Sequence, residues 1–397
     1  MATLLNEVPA TTSSALLGVY RTAEPLLVGA HGCWLVDETG KRYLDFASGI
    51  GVNALGYGDP GITQALGRAV ATGVIHTSNL FRTAPPAELA EELVARSFAD
   101  RVFFCNSGAE ANEGAFKFAR RWARAEGGAA KHEIVALRGA FHGRLFGALA
   151  ATDRRSLQEP FEPLMPGVRF IEPGDLAGAA QAITRERTAA VIVEPVQGEG
   201  GVRPLDAAYL RALRELTNTQ NVLLIFDEVQ CGLGRTGELF AYQAFDVEPD
   251  LLTLAKPLAG GLPMGAVLLS ERVAAAIQPG DHATTFGGGP LVASVALEVV
   301  RRIAQPAFLR AVQQRSAQLA TRLEELRAVA SVRATRGIGL MWGIELDTAA
   351  APVVAHALEL GLLLTTAGER VIRLLPPLVI SEAEIEQGTV MLRAALA

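Results

Sequence analysis

Two apolar runs, each closed by a charged residue, constrain this chain more than any other feature. Val222-Leu223-Leu224-Ile225-Phe226 ends in Asp227-Glu228, and Leu251-Leu252-Thr253-Leu254-Ala255 ends in Lys256-Pro257. Short strands that are apolar on both sides belong to parallel sheets covered on both faces. In open α/β sheets ligands gather beyond the carboxyl ends of the strands, so Asp227 and Lys256 share one crevice if the two strands are neighbours.

A carboxylate and an amine in that position suit one chemistry well. Pyridoxal phosphate needs a lysine for a Schiff base and an acid that keeps its pyridine nitrogen protonated, so that the ring can accept electrons from a carbanion. Lys256 and Asp227 have those two characters. A strand-end salt bridge accounts for an isolated Asp/Lys pair just as simply, so the surrounding residues must decide.

Upstream, Arg101-Val102-Phe103-Phe104-Cys105-Asn106 reads as another strand, followed by Ser107-Gly108-Ala109-Glu110 and a helix to about Ala125. Ser107 and Glu110 form a Ser-x-x-Glu capping box. The same geometry offers an anion free backbone N–H groups and the positive end of a helix, with Gly108 permitting close approach. Capping and phosphate binding are both open here, and they are compatible. A third segment, Phe141-His142-Gly143-Arg144, follows the strand-like Ile134-Val135-Ala136-Leu137. Phe141 can stack on a flat ring or sit in the core. Arg144 can grip a carboxylate through its planar fork or remain a solvated charge. His142 reads as a satisfied histidine beside the cofactor, because a released Lys256 can carry protons itself.

These segments, with others, resemble a known family. The motifs are Asn106-Ser107-Gly108-Ala109-Glu110-Ala111-Asn112-Glu113, Phe141-His142-Gly143-Arg144, Glu194-Pro195-Val196-Gln197-Gly198-Glu199-Gly200-Gly201, Asp227-Glu228-Val229-Gln230 leading through Gly232-Leu233-Gly234-Arg235-Thr236-Gly237 to Lys256, Thr284-Thr285-Phe286-Gly287-Gly288 and Arg373-Leu374-Leu375-Pro376-Pro377. In that order, from about Tyr20 onward, the chain resembles the class-III aminotransferases of the fold-type I pyridoxal-phosphate superfamily, and within them the acetylornithine group.

The resemblance implies roles for single residues. Ser107, Gly108 and Ala109 would bind the cofactor phosphate, Phe141 would stack on the ring, Asp227 would pair with the pyridine nitrogen, and Glu228 would belong to the cofactor-binding set with it. Val229 would pack on the opposite ring face, Gln230 would lie near the phenolic oxygen, and Lys256 would be the Schiff-base lysine. Thr285 would reach the phosphate of a neighbouring subunit, with Thr284 close to substrate, in a homodimer with composite sites. Arg144 would bind the carboxylate of an acylated diamino acid. Arg373 would take the α-carboxylate of glutamate or 2-oxoglutarate, and Glu199 would cover Arg373 when no α-carboxylate is present. The implied reaction moves the amino group of N-acetylornithine to 2-oxoglutarate, giving N-acetylglutamate 5-semialdehyde and glutamate, a step of arginine biosynthesis. Succinylornithine, ornithine and other ω-amino acid transfers fit the same motifs, and an aminomutase or decarboxylase on this scaffold would retain Lys256 and Asp227. Two residues depart from the group's pattern: Gly289 stands where Asn is expected, and Thr284 where Ser is commoner.

Composition is consistent with such an enzyme. A chain of 397 residues, 50% of them hydrophobic, supports a large domain and a smaller one. The expected division is a large cofactor-binding domain over 60–285 and a small α+β domain from 1–59 and 286–397. The elements of the first are strands alternating with helices, and those of the second are the hairpin around Asp37-Glu38-Thr39-Gly40, helices from Leu291 to Arg327 broken at Gln305-Pro306, and strands at Gly339–Glu345 and Val371–Leu374. Leu89 and Leu93 mark a core-facing helix stripe. A net charge of −6 and a pI near 5.7 argue against nucleic acid or an anionic membrane as partner. Cys33, Cys105 and Cys231 have neither disulfide nor zinc spacing, and the six histidines form no ligand pair, so no metal is expected. The patch Ala15-Leu16-Leu17 lacks a preceding basic region, which points to a cytoplasmic enzyme with no signal peptide. A nucleotide hydrolase would need a Gly-x-x-x-x-Gly-Lys-Ser/Thr loop, and none occurs.

Overall fold

The computed structural model describes residues 15–19 and 25–397. Tyr20 and most of the first two dozen residues fall outside the described residues.

Seven strands form the central sheet, in the spatial order Arg101–Cys105, Gly265–Leu269, Leu251–Leu254, Leu223–Asp227, Thr188–Val193, Glu133–Leu137, Val168–Ile171. The last five run parallel, while Gly265–Leu269 is antiparallel to both its neighbours. Every residue of Leu223–Asp227, Thr188–Val193 and Leu251–Leu254 is buried. That is why their sequences are uniformly apolar: helices cover both faces and no side of the pleat reaches water. The two apolar runs closed by Asp227 and Lys256 are adjacent, with Asp227 paired in register with Thr253. Lys256 follows three residues beyond Thr253, so both charged residues emerge at one end of the sheet.

Helix Gly108–Gly127 lies across this sheet, and its buried face carries Ala111, Asn112, Ala115, Ala119 and Trp122. The small residues let the helix approach the strands closely, and Asn112 is the one polar side chain among them. The helix runs two residues further than expected and stops at Gly128, whose φ of 75° is the left-handed conformation glycine adopts freely. The expected capping box is half formed. Ser107 Oγ accepts the Glu110 N–H at 3.2 Å, but the Glu110 carboxylate reaches past Ser107 to the backbone N–H and side chain of Asn106.

Two four-stranded sheets lie outside this unit. In one, Arg42–Asp45 at the end of the N-terminal hairpin pairs in parallel with Leu362–Leu363. In the other, Met341–Leu346 lies between Val332–Ile338 and Val371–Leu374. The strand begins at Met341 because Gly339 turns the chain with a φ of 60°. Trp34 Nε1 donates to Glu384 at 2.8 Å, a further tie between the ends of the chain. Helices Pro290–Ile303 and Pro306–Leu326 are broken at Gln305, as the proline implies. The first of them packs against helices Pro60–Ala71 and Ala84–Val94, where Leu89 and Leu93 are fully buried. We propose the two-domain division, with Pro290–Ile303 carried by the large unit because its apolar face is spent there. Gly289 is the N-cap of that helix and offers no side chain to cap it, which is the structural content of the missing Asn. Among the described residues, no helix is long and apolar enough to cross a membrane.

Candidate active site

A cavity of about 450 Å³ opens at the carboxyl ends of the central strands, lined among others by Ser107, Gly108, Phe141, Asp227, Val229 and Lys256. That size is within the range of sites that enclose a small molecule.

Asp227 is buried and heavily bound. Its Oδ2 accepts from Asn112 Nδ2 at 2.8 Å and faces His142 Nδ1 at 2.8 Å, and its Oδ1 accepts the Val229 N–H at 3.0 Å. Asn112 in turn donates to the His142 carbonyl at 2.7 Å and accepts from Thr253 Oγ1 at 2.8 Å. The carboxylate is thus fixed in orientation by the helix, the next strand and the Phe141 loop together. His142 Nε2 is buried without a hydrogen-bond partner, so the histidine is satisfied on one side only.

Lys256 begins the short turn Lys256–Ala259 with a φ of 23°, a strained value for a residue with a side chain. Among the described residues its ammonium makes no hydrogen bond or ion pair. Burial and the neighbouring Arg373 push its pKa below the usual lysine value, partly opposed by Glu199, Asp227 and Glu194. An amine shifted toward its neutral form is a nucleophile and a proton acceptor.

At the start of helix Gly108–Gly127, Ser107 caps Glu110 and leaves the N–H groups of Gly108 and Ala109 unclaimed at the cavity wall. A Cβ on Gly108 would sit 2.6 Å from Val229 Cγ1, so glycine is required for this approach. The loop Ala140–Arg144 is held by Thr152, whose Oγ1 accepts the N–H groups of His142 and Gly143 at 2.9 and 3.2 Å. Phe141 presents its ring between two guanidiniums, those of Arg144 at 5.8 Å and Arg154 at 6.0 Å. Arg144 is exposed and without an acidic partner among the described residues.

Opposite stands an ion pair between Arg373 and Glu199, residues separated by 174 positions. Arg373 is almost wholly buried and also donates to Thr365 Oγ1 at 3.2 Å and Gln230 Oε1 at 3.3 Å. Burial alone would raise the Glu199 carboxyl, but Arg373 outweighs it, aided by Lys256 and Arg154, and the group is held below its ordinary value. Arg154 donates to the Glu199 carbonyl and lies 3.8 Å from its Oε2.

Two groups of expected residues lie elsewhere. Glu228 points away from the cavity, since consecutive residues at a strand end face opposite sides. Its carboxylate accepts the N–H groups of Ala241 and Tyr242, and burial pushes its pKa up to about 8 against those two hydrogen bonds. Thr284 and Thr285 do not line this cavity. Thr284 Oγ1 accepts from Asn106 Nδ2 at 3.0 Å, its carbonyl accepts from Asn79 Nδ2 at 2.7 Å, and Thr285 is exposed beside them.

Sequence reasoning gave no role to Asn112, Thr253 and Glu194, although all three lie in segments it singled out, and passed over Thr152 and Arg154. Asn112 had a signal, as a lone polar residue on the apolar stripe of a helix. Glu194 had a better one: it closes the buried strand Thr188–Val193 as Asp227 closes its own. Its oxygens accept the N–H groups of Phe141 at 3.0 Å and Gly198 at 3.1 Å, and burial raises its pKa despite the nearby His142. Arg154 had none, because its partner is 45 positions away.

The lining suits pyridoxal phosphate: a helix N-terminus for a phosphate, Phe141 and Val229 as apolar surface for a ring, a fixed carboxylate for its nitrogen and, among the described residues, an unpaired amine for its aldehyde. Comparison with known proteins agrees. A family model described as aminotransferase class-III matches residues 21–396. A mitochondrial acetylornithine aminotransferase of Alnus glutinosa is 49% identical over 98% of this chain and 87% of its own length. Among solved structures, an N-acetylornithine aminotransferase of Stenotrophomonas maltophilia K279a superimposes with a TM-score of 0.82 at 38% identity, over 94% of this chain and 96% of that one. The ornithine aminotransferase of Toxoplasma gondii, reported with partial occupancy of PLP at its active site, gives a TM-score of 0.92 at 31% identity, over 96% and 92%.

Proposed function

The chain belongs to the class-III aminotransferase family, with the pyridoxal-phosphate-dependent fold-type I architecture, and from that premise we propose that it transfers the terminal amino group of N-acetylornithine to 2-oxoglutarate. The products are N-acetylglutamate 5-semialdehyde and glutamate, in the service of arginine biosynthesis. One observation carries the reading: the cavity that holds Lys256 has two arginines, Arg144 on its lining without an acidic partner among the described residues, and Arg373, close enough to depress the Lys256 pKa and covered by Glu199. Two carboxylated substrates of different length can therefore present their amines to the same atom.

Pyridoxal phosphate, when bound, supplies an aldehyde that takes up amines and a ring that stores an electron pair. The residues do the rest. Asp227, locked by Asn112 and His142, holds a proton on the ring nitrogen. The N–H groups of Gly108 and Ala109, with Ser107, take the phosphate at the positive end of the helix. Phe141 and Val229 would pack on the ring's two faces, and Gln230 would lie near its phenolic oxygen. Lys256 would be the amine that holds the aldehyde and, once free, the base that takes a proton from the substrate carbon. Arg144 takes the carboxylate of the acylated substrate while Glu199 keeps Arg373 covered. When glutamate or 2-oxoglutarate enters, its α-carboxylate replaces Glu199 on Arg373.

A homodimer in the cytoplasm is the working form in this reading. Leu80, Phe81 and Phe286 are 88%, 70% and 65% exposed, an apolar surface of the kind that marks an interface. Thr285, exposed beside Phe286, would then serve a neighbouring subunit's phosphate, with Thr284 near its substrate.

The test is spectroscopic. Loaded protein mixed with N-acetylornithine should lose its visible absorbance in favour of a near-ultraviolet band, and 2-oxoglutarate should restore it, with Lys256→Ala inert to both. A response to succinylornithine, ornithine or 4-aminobutyrate without one to N-acetylornithine would keep the family and discard this substrate.

A further inference from the structure

Glu199 must leave Arg373 whenever an α-carboxylate arrives, and a carboxylate released in a half-buried cleft is costly unless another cation receives it. Three other cations border this region. Lys256 has to be free for proton transfer. Arg144 is reserved for the carboxylate of the acylated substrate. Arg154 has neither duty, and among the described residues Glu199 is the one acid it pairs with, since the adjacent Asp153 is taken by Arg138.

The geometry points to Arg154 as the receiving partner: a positioning residue that catches the displaced Glu199 carboxylate and so admits glutamate and 2-oxoglutarate to Arg373. The inference rests on the two-substrate transfer proposed above. Glu199 Oε1 is on Arg373 while Oε2 is already 3.8 Å from Arg154 Nη2, so a side-chain rotation exchanges one guanidinium for the other. The backbone need not move, because Arg154 also holds the Glu199 carbonyl. The guanidinium fork has donors enough for both tasks, which an ammonium performs less well. The loop is further pinned on either side: the Gly198 N–H donates to Glu194 at 3.1 Å, and the Gly201 carbonyl accepts from Arg336 Nε at 2.9 Å. Arg154 itself is set by its own N–H on the Thr152 carbonyl at 2.8 Å, and Thr152 is the residue that fixes the Phe141 loop. The catch and the cofactor platform thus share one support.

Single-turnover half-reactions of the loaded enzyme separate this role from a merely structural one. Arg154→Gln should weaken glutamate by about tenfold in apparent dissociation constant. The same variant should leave the N-acetylornithine half-reaction within about twofold, since that half keeps Glu199 on Arg373. Arg154→Lys, which restores the charge, should recover most of the glutamate affinity. Equal losses in both half-reactions would reduce Arg154 to a loop support and overturn the proposal, as would unchanged glutamate affinity in Arg154→Gln. A wild-type enzyme that reacts with N-acetylornithine but not at all with glutamate would instead sink the two-substrate transfer itself.

Discussion

At the floor of the cleft, Asp227 is held by three donors, Asn112, His142 and the Val229 N–H, whereas at the gate Glu199 is shared between two arginines. Both are carboxylates near Lys256, yet the floor lies between a helix and a strand that cannot move apart, and the gate lies on a glycine-rich loop. A group whose charge must persist through the reaction is surrounded by fixed dipoles, and a group that must step aside is given a choice of partners. Asp227→Asn tests the floor most severely. Asparagine keeps the shape but turns a donor toward Asn112 or His142 and removes the charge that would hold a proton on the ring. We expect a loss of about 10² to 10³-fold in both half-reaction rates, the worth of a preorganised electrostatic group. A loss equal to that from opening the gate would erase the contrast.

Asn112→Ala strikes the floor indirectly. It strands the Thr253 hydroxyl, the His142 carbonyl and one side of Asp227 in a buried site, and should cost about 1–3 kcal/mol in urea unfolding at unchanged m-value. Glu199→Gln addresses the gate and should have a smaller, divided effect. With Arg373 no longer neutralised, glutamate should bind about tenfold more tightly, while N-acetylornithine, now able to place its carboxylate on the wrong arginine, should show a raised KM. A parallel change in both substrates would mean that Glu199 does not discriminate between them.

The floor was the more legible half in the sequence. Asp227 and Lys256 stand at the ends of uniformly apolar runs, and parallel-sheet geometry places such residues in one crevice without knowledge of distant contacts. The same rule applied to Thr188–Val193 would have exposed Glu194. Glu228 shows where the rule stops: two acidic residues close the same strand, and only the alternation of side chains, set by the register with Leu251–Leu254, decides that Asp227 faces the cavity and Glu228 the helix Ala241–Phe245. The gate depends on pairings across 174 and 45 positions. Resemblance supplied the first and nothing supplied the second, because an arginine in a polar loop looks like any solvated charge. The half-formed capping box has a similar cause, since Glu110 found a partner in Asn106 that local spacing does not favour.

The smallest expected effect concerns the stability of the floor without its cofactor. Lys256 is shifted below its ordinary value of 10.5 by burial and by Arg373, against the pull of Glu199, Asp227 and Glu194. The folded protein therefore binds this proton less readily than the unfolded chain does, and stability rises with pH wherever the unfolded state binds more protons. The contribution is complete above the unfolded value and is lost as pH falls through the lowered one. Methionine is of similar length and carries no charge, so Lys256→Met should escape that loss. At pH 7 the cofactor-free variant should be more stable than the cofactor-free wild type. The margin should narrow as the pH rises from the lowered value to and past 10.5, which urea titrations at several pH values would follow. Such a result would make the catalytic amine a stability cost borne for function, as expected where an active site is strained. A variant less stable than wild type at pH 7 would mean that Glu199 and Asp227 already compensate the ammonium, and the floor would then share the tolerance of the gate.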